Sequence, residues 1–125
     1  GQTYENWELL IVNDGSHDNS MAVLKFYKEK DARIHVFHNE TATGEGAARN
    51  LLIKHAKGRY VAFLDCDDIW HPHKLDVQIK TMEDNYLPLT YGYYDVIDES
   101  GHVTGRVCTN RHKITITNML ELIIA

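Results

Sequence analysis

Tyr60-Val61-Ala62-Phe63-Leu64-Asp65-Cys66-Asp67-Asp68-Ile69-Trp70 sets a short, unbroken apolar run directly against three carboxylates in the pattern D-x-D-D. The run has no polar alternation and follows Lys57-Gly58-Arg59. It predicts a strand covered on both faces, as in a parallel sheet. Ligands of open α/β sheets lie just past the carboxyl ends of such strands, so Asp65, Asp67 and Asp68 stand where a binding crevice is expected. Carboxylates this close repel one another unless a cation or a proton intervenes. A hard divalent cation, Mg2+ or Mn2+, takes oxygen ligands of this kind and would bridge them to phosphate oxygens. The plain alternative is an acidic surface turn.

Upstream of that stretch, Trp7 to Val12 predicts a first strand that ends in the turn-forming set Asn13-Asp14-Gly15-Ser16. Ser16, Asp18, Asn19 and Ser20 all offer an N-cap oxygen for a helix reaching about Lys30, with Met21, Leu24 and Phe26 or Tyr27 as its apolar stripe. Ile34 to Phe37 predicts a second strand. A loop of small and polar residues follows, and Gly46-Ala47-Ala48-Arg49-Asn50 opens a helix with Gly58 as its C′ residue. Downstream, Pro72 suits the first turn of a helix whose buried face is Leu75, Ile79 and Met82, ending before Pro88. Leu89 to Ile97, the turn Asp98-Glu99-Ser100-Gly101 and His102 to Val107 predict a hairpin. Ile114 to Ala125 predicts a last helix. The order β-α-β-α-β-α-β-β-α predicts an α/β fold with a mostly parallel sheet flanked by helices, read as one domain over residues 1–125 and as incomplete at both ends.

The 125 residues suit one domain and can bury a core. The net charge of −5 argues against a nucleic-acid backbone or an anionic membrane as the main partner. No apolar run reaches the roughly 20 residues of a membrane span. Cys66 and Cys108 do not make a disulfide framework, which points to a reducing cytoplasm. The eight histidines include no set at zinc-site spacing.

Three predicted strand ends therefore carry polar residues. At Asn13-Asp14-Gly15-Ser16, the Asp14 carboxylate can accept a hydrogen bond from a base or a ribose hydroxyl, and Gly15 lets a ligand approach the backbone; a plain turn is the alternative. At Gly44-Glu45-Gly46-Ala47-Ala48-Arg49-Asn50, backbone N–H groups can meet an anion and Arg49 can clamp a phosphate or stack on a base; a solvated loop is the alternative. The third is the D-C-D-D cluster. Three enzyme classes use such a layout. A dinucleotide-dependent dehydrogenase fits Gly44-x-Gly46 with Asp65 downstream, but Arg49 stands at the third glycine, where a side chain would push helix from strand. A D-x-D phosphatase needs a later acidic pair that is not evident. A nucleotide-sugar transferase uses a D-x-D cluster to hold the metal of a nucleoside diphosphate.

V-N-D-G-S at Val12 to Ser16, G-E-G-A-A-R-N at Gly44 to Asn50, K-G-R-Y-V-A-F-L-D-C-D-D-I-W at Lys57 to Trp70, P-x-K-L at Pro72 to Leu75 and the opening Q-T-Y-x-N-W-E-L at Gln2 to Leu9 together resemble family 2 of the inverting glycosyltransferases. The resemblance runs almost continuously from Gln2 to about Gln78. It implies a Rossmann-like GT-A nucleotide-diphospho-sugar transferase fold, here a donor-nucleotide-binding domain. Asp14 would contact the nucleobase, usually uracil, beside Gly15. Arg49 would lie by the base or diphosphate, Asp65 would contact the ribose, and Asp67, with Asp65, would hold a divalent metal, Mn2+ or Mg2+. The resemblance implies a single displacement with inversion at the sugar C1. The catalytic base is expected beyond Ala125 and is unassigned. The implied partners are a nucleotide-sugar donor and a glycan or glycolipid acceptor, in bacterial surface polysaccharide or lipopolysaccharide synthesis. The implied location is the cytoplasm, at the inner face of the membrane if the longer protein associates peripherally. Without the family strand expected before Gly1, a sheet edge would be exposed and open to pairing with another chain. A non-catalytic nucleotide-binding domain is the competing reading, and an NAD-dependent dehydrogenase a weaker one.

Overall fold

The computed structural model describes residues 1–107. Its elements are β1 (Leu9–Asp14), α1 (Ser20–Lys30), β2 (Ile34–Asn39), α2 (Glu45–His55), α3 (Lys74–Asp84), β3 (Tyr94–Ile97) and β4 (Val103–Val107). Two compact units divide the chain, one from Gly1 to Val77 and one from Gln78 onward.

In the first unit, the β-branched and aromatic runs Leu-Leu-Ile-Val and Ile-His-Val-Phe form the parallel pair β1–β2, in register from Leu9 opposite Ile34 to Asp14 opposite Asn39. Strand β1 starts and ends two residues later than the sequence predicts. Asn13 and Asp14 therefore belong to the strand, and the turn begins at Gly15. Helix α1 connects the two strands and packs on β2. Its first free N–H, on Ser20, is taken by the Asp18 carboxylate at 2.9 Å. Lys28 and Lys30 sit in its last turn, where the helix dipole favours cations. Met21 and Leu24 are half-buried, whereas Phe26 and Tyr27 are exposed, so the apolar stripe is narrower than its sequence suggests. Helix α2 packs on β1 through Ala48, the buried apolar residue of the unit. A small side chain there lets helix and strand approach. The helix ends at His55, and Gly58 is not its C′ residue: the Lys57 and Gly58 N–H groups instead donate to the Glu8 carboxylate at 2.6 and 3.1 Å.

The apolar run before the acidic cluster is the largest departure from expectation. Among the described residues Tyr60–Leu64 forms no strand, and Val61, Phe63 and Leu64 are exposed. Its composition suits burial on both faces, but burial requires a ladder neighbour and covering helices. Here β1 pairs only with β2 among those residues.

The start of the chain is tied to the segment just after the cluster. The Gln2 side chain donates to the His71 carbonyl at 2.9 Å and accepts the Leu75 N–H at 3.1 Å, capping the start of α3. The Thr3 N–H donates to the Pro72 carbonyl at 2.9 Å, and its hydroxyl bonds to the Asp76 carboxylate and meets His73 Nδ1 at 3.1 Å. Leu75, Ile79 and Met82 are the half-buried positions of α3 that the periodicity predicts.

In the second unit β3 and β4 form an antiparallel hairpin with an irregularity between Val96 and Ile97. The turn is the predicted one: Asp98 accepts the Ser100 and His102 N–H groups, each at 2.9 Å, and Gly101 has φ +80°. Strand β3 is shorter than the predicted Leu89–Ile97. The predicted helix at residues 114–125 lies outside the described residues.

Candidate functional site

The register of β1 and β2 places Asp14 opposite Asn39, so two polar residues leave the sheet side by side. Asn39 Nδ2 donates to Asp14 Oδ1 at 2.7 Å. The loop after β2 then folds back over the same carboxylate. The Thr43 N–H lies 2.9 Å from both oxygens, the Thr43 hydroxyl donates to Oδ1 at 2.9 Å, and the Gly44 N–H donates to Oδ2 at 2.8 Å. Four donors thus meet a group with about four lone-pair positions. The Asn39 amide foremost, then the Thr43 and Gly44 donors, hold the Asp14 carboxyl down at about 2.

Gly15 has φ +76°, and a Cβ on it would lie 2.6 Å from the Ala42 nitrogen. The chain's own loop thus makes a close approach that requires glycine at this position. Asn39 and Thr43 are not among the candidate site residues that the sequence offers. The parallel pairing of two strands that both end in a polar residue is the signal that points to Asn39. Thr43 sits in a stretch legible only as small and polar.

Gly44, at φ +89°, turns the loop into α2. One turn in, Arg49 Nη2 reaches Glu45 Oε1 at 2.6 Å and Asp65 Oδ1 at 2.7 Å. Its guanidinium carbon lies 5.4 Å from the centre of the Phe63 ring. Arg49 points at the acidic cluster, and the buried Ala48 beside it takes the packing position. Two of the three sequence motifs are thereby joined: Arg49 from the loop-helix motif and Asp65 from D-C-D-D. Asp65 also accepts the Asp68 N–H on its carbonyl at 3.2 Å, which closes the cluster into a turn.

Asp67 and Asp68 are exposed and have no side-chain partner among the described residues. Cys66 between them is an exposed free thiol. The donor set is hard oxygen, which suits Mg2+ or Mn2+. Among the described residues no three His, Cys, Asp or Glu side chains gather into a cage for an ion. One or two carboxylates, completed by phosphate oxygens and water, are the usual protein contribution to a Mg2+ site shared with a nucleotide. The residues fit an ion held in that way. Among the described residues no helix is long and apolar enough to cross a membrane.

Comparison with known proteins agrees with the motifs. The family model described as "Glycosyl transferase family 2" matches residues 1–122. The UDP-Glc:alpha-D-GlcNAc-diphosphoundecaprenol beta-1,3-glucosyltransferase WfgD of Escherichia coli is 43% identical over 121 residues, which are 96% of this chain and 46% of that protein. The enzyme of the same description named WfaP, also from Escherichia coli, is 40% identical over 104 residues, 83% of this chain and 40% of its own length. The putative teichuronic acid biosynthesis glycosyltransferase TuaG of Bacillus subtilis is 38% identical over 100 residues, 80% of this chain and 40% of its own. The chain spans less than half the length of these relatives.

Proposed function

The chain belongs to glycosyl transferase family 2, with its Rossmann-like α/β GT-A fold, and on that premise we propose that it forms the donor site of an enzyme that transfers a sugar from a UDP-sugar to an acceptor hydroxyl with inversion. The reaction would serve the synthesis of a bacterial surface glycan, as the names of the relatives suggest. The observation that carries this reading is the 2.7 Å ion pair between Arg49 and Asp65, which brings a cationic side chain to the acidic turn where a diphosphate and its counter-ion would meet.

In this reading each part of the site has a distinct task. Asp14, held ionised, accepts from an N–H or O–H of the nucleoside. Gly15 lets the loop that carries Thr43 and Gly44 lie against it. Asp65 orients Arg49 and meets the ribose, and Arg49 carries positive charge to the diphosphate. Asp67, with Asp65, would hold a divalent cation, Mn2+ or Mg2+. Such a cation, when bound, offsets charge on the leaving diphosphate. The acceptor is a glycan or glycolipid, and the work takes place in the cytoplasm at a membrane-facing surface.

Calorimetric titration of the chain with UDP, with and without Mn2+, tests the reading. Binding that strengthens with Mn2+ is expected. Equal binding with and without the ion would leave a nucleotide-binding domain but remove the metal-assisted donor site.

A further inference from the structure

The four donors on Asp14 differ in how they are fixed. The Thr43 and Gly44 N–H groups belong to the backbone of a loop seated against Gly15. Asn39 Nδ2 is delivered by a strand in register with β1. The Thr43 hydroxyl is the exception. It hangs from one side-chain torsion on an exposed residue, and a change of rotamer moves it away without disturbing the backbone. Its present orientation is set from behind: Asn39 Nδ2 donates to Thr43 Oγ1 at 3.2 Å while that oxygen donates to Asp14 at 2.9 Å.

An ionised carboxylate offers about four acceptor positions, and all four are filled by the protein itself. A nucleoside that donates to Asp14 must therefore replace one of the four. We infer that Thr43 sets the affinity of the site by occupying, with its hydroxyl, the position on Asp14 that the nucleoside's donor takes, and that it yields this position by rotating. The inference rests on the donor-site reading above and adds a competitor within the chain. Hydroxyl and incoming donor are both neutral, so one charge-assisted bond is exchanged for another of the same kind. The cost to the ligand is the net worth of the bond given up. That corresponds to a dissociation constant weaker by about tenfold to a hundredfold.

The test is titration of UDP in the presence of Mn2+ into the wild-type chain and into Thr43→Val, Thr43→Ala and Thr43→Ser. Removing the hydroxyl is expected to tighten UDP binding by about tenfold to a hundredfold, in Thr43→Ala as in the isosteric Thr43→Val. Thr43→Ser restores the competitor and is expected to return binding to the weaker level. A purely structural role for Thr43 predicts the opposite direction, because loosening the loop would weaken binding. Repeating the series with CDP separates the two possible donors. The uracil ring carries an N–H where cytosine has only an acceptor, so a gain confined to UDP identifies the base, and equal gains identify a ribose hydroxyl. Unchanged or weaker UDP binding in both hydroxyl-free variants overturns the inference and leaves the donor-site reading standing. No Mn2+-dependent UDP binding in any form, wild type included, overturns both.

Discussion

The two acidic parts of the site are built in opposite ways. Asp14 is enclosed by the protein's own donors: Asn39, Thr43 and Gly44 satisfy its carboxylate, and Gly15 makes room for the loop that brings two of them. The turn Asp65–Asp68 is left open. Arg49 takes one oxygen of Asp65, while Asp67 and Asp68 face solvent. Charge is tolerated in both places, but the compensation differs. At Asp14 the fold supplies it. At Asp67 and Asp68 water supplies it until something with positive charge arrives. Substitutions around Asp14 are therefore expected to act on folding and affinity together, whereas those in the acidic turn are expected to act on ligands and spare the fold.

The sharpest way to break this contrast is Gly15→Ala. The added methyl meets the Ala42 nitrogen at 2.6 Å and forces a side chain into positive φ. A loss of about 2–4 kcal/mol in urea unfolding is expected, and a loss below about 0.5 kcal/mol, ordinary for a surface change, would show that the loop is not held as described. Next in size is Asp67→Ala. It is expected to weaken Mn2+-dependent UDP binding by about a hundredfold, at the upper end for altered metal surroundings, with unfolding unmoved within about 0.5 kcal/mol. Persisting metal dependence would remove Asp67 from the ion's ligands. Arg49→Ala follows, with UDP binding weaker by about tenfold, the worth of a hydrogen bond to a charged group. Its exposed ion pairs contribute about 0–1 kcal/mol to stability, so a larger folding defect would mean that Arg49 is structural first.

The smallest effect is the pH response of the loop. Folding lowers the Asp14 pKa from an ordinary 3.8 to about 2. A lowered pKa means that the ionised carboxylate stabilises the folded state above about pH 4, and that this contribution fades as pH falls toward 2. Hydrogen exchange of the Thr43 and Gly44 amides is expected to lose protection across that window in the wild type. In Asp14→Asn protection is expected to be low throughout and flat across the same window.

Much of the fold could be read from the sequence because the local signals are self-contained. Helix α1 to Lys30, β2, the Leu75–Ile79–Met82 face and the Asp98–Gly101 turn each follow from a periodicity or a turn residue. Tyr60–Leu64 departs from its expected strand because an apolar run records suitability for burial without naming the partners that provide it. The packing of Gly15 against residue 42 is not legible in the sequence, because nothing local reveals which backbone lies nearest. That Arg49 meets Asp65 is not legible in the sequence, because helix phase, which puts Ala48 against β1 and Arg49 toward Asp65, is a property of packing. Asp14 and Arg49 were picked out by residue type, whereas Asn39 and Thr43 gain their importance only from what lies across the strand pair.

The tie between Gln2, Thr3 and the start of α3 has a consequence for how the protein is made. Its bonds join residues 69 to 73 positions apart. A nascent chain leaves the ribosome from its amino end, at about 5–20 residues per second, so Gln2 and Thr3 emerge several seconds before His71 and Asp76. Strand pairing of β1 with β2 can be complete in that interval, while the amino-terminal segment waits without its partners. The acidic turn is fastened at its far end only when α3 emerges, so during synthesis it settles after the loop around Asp14.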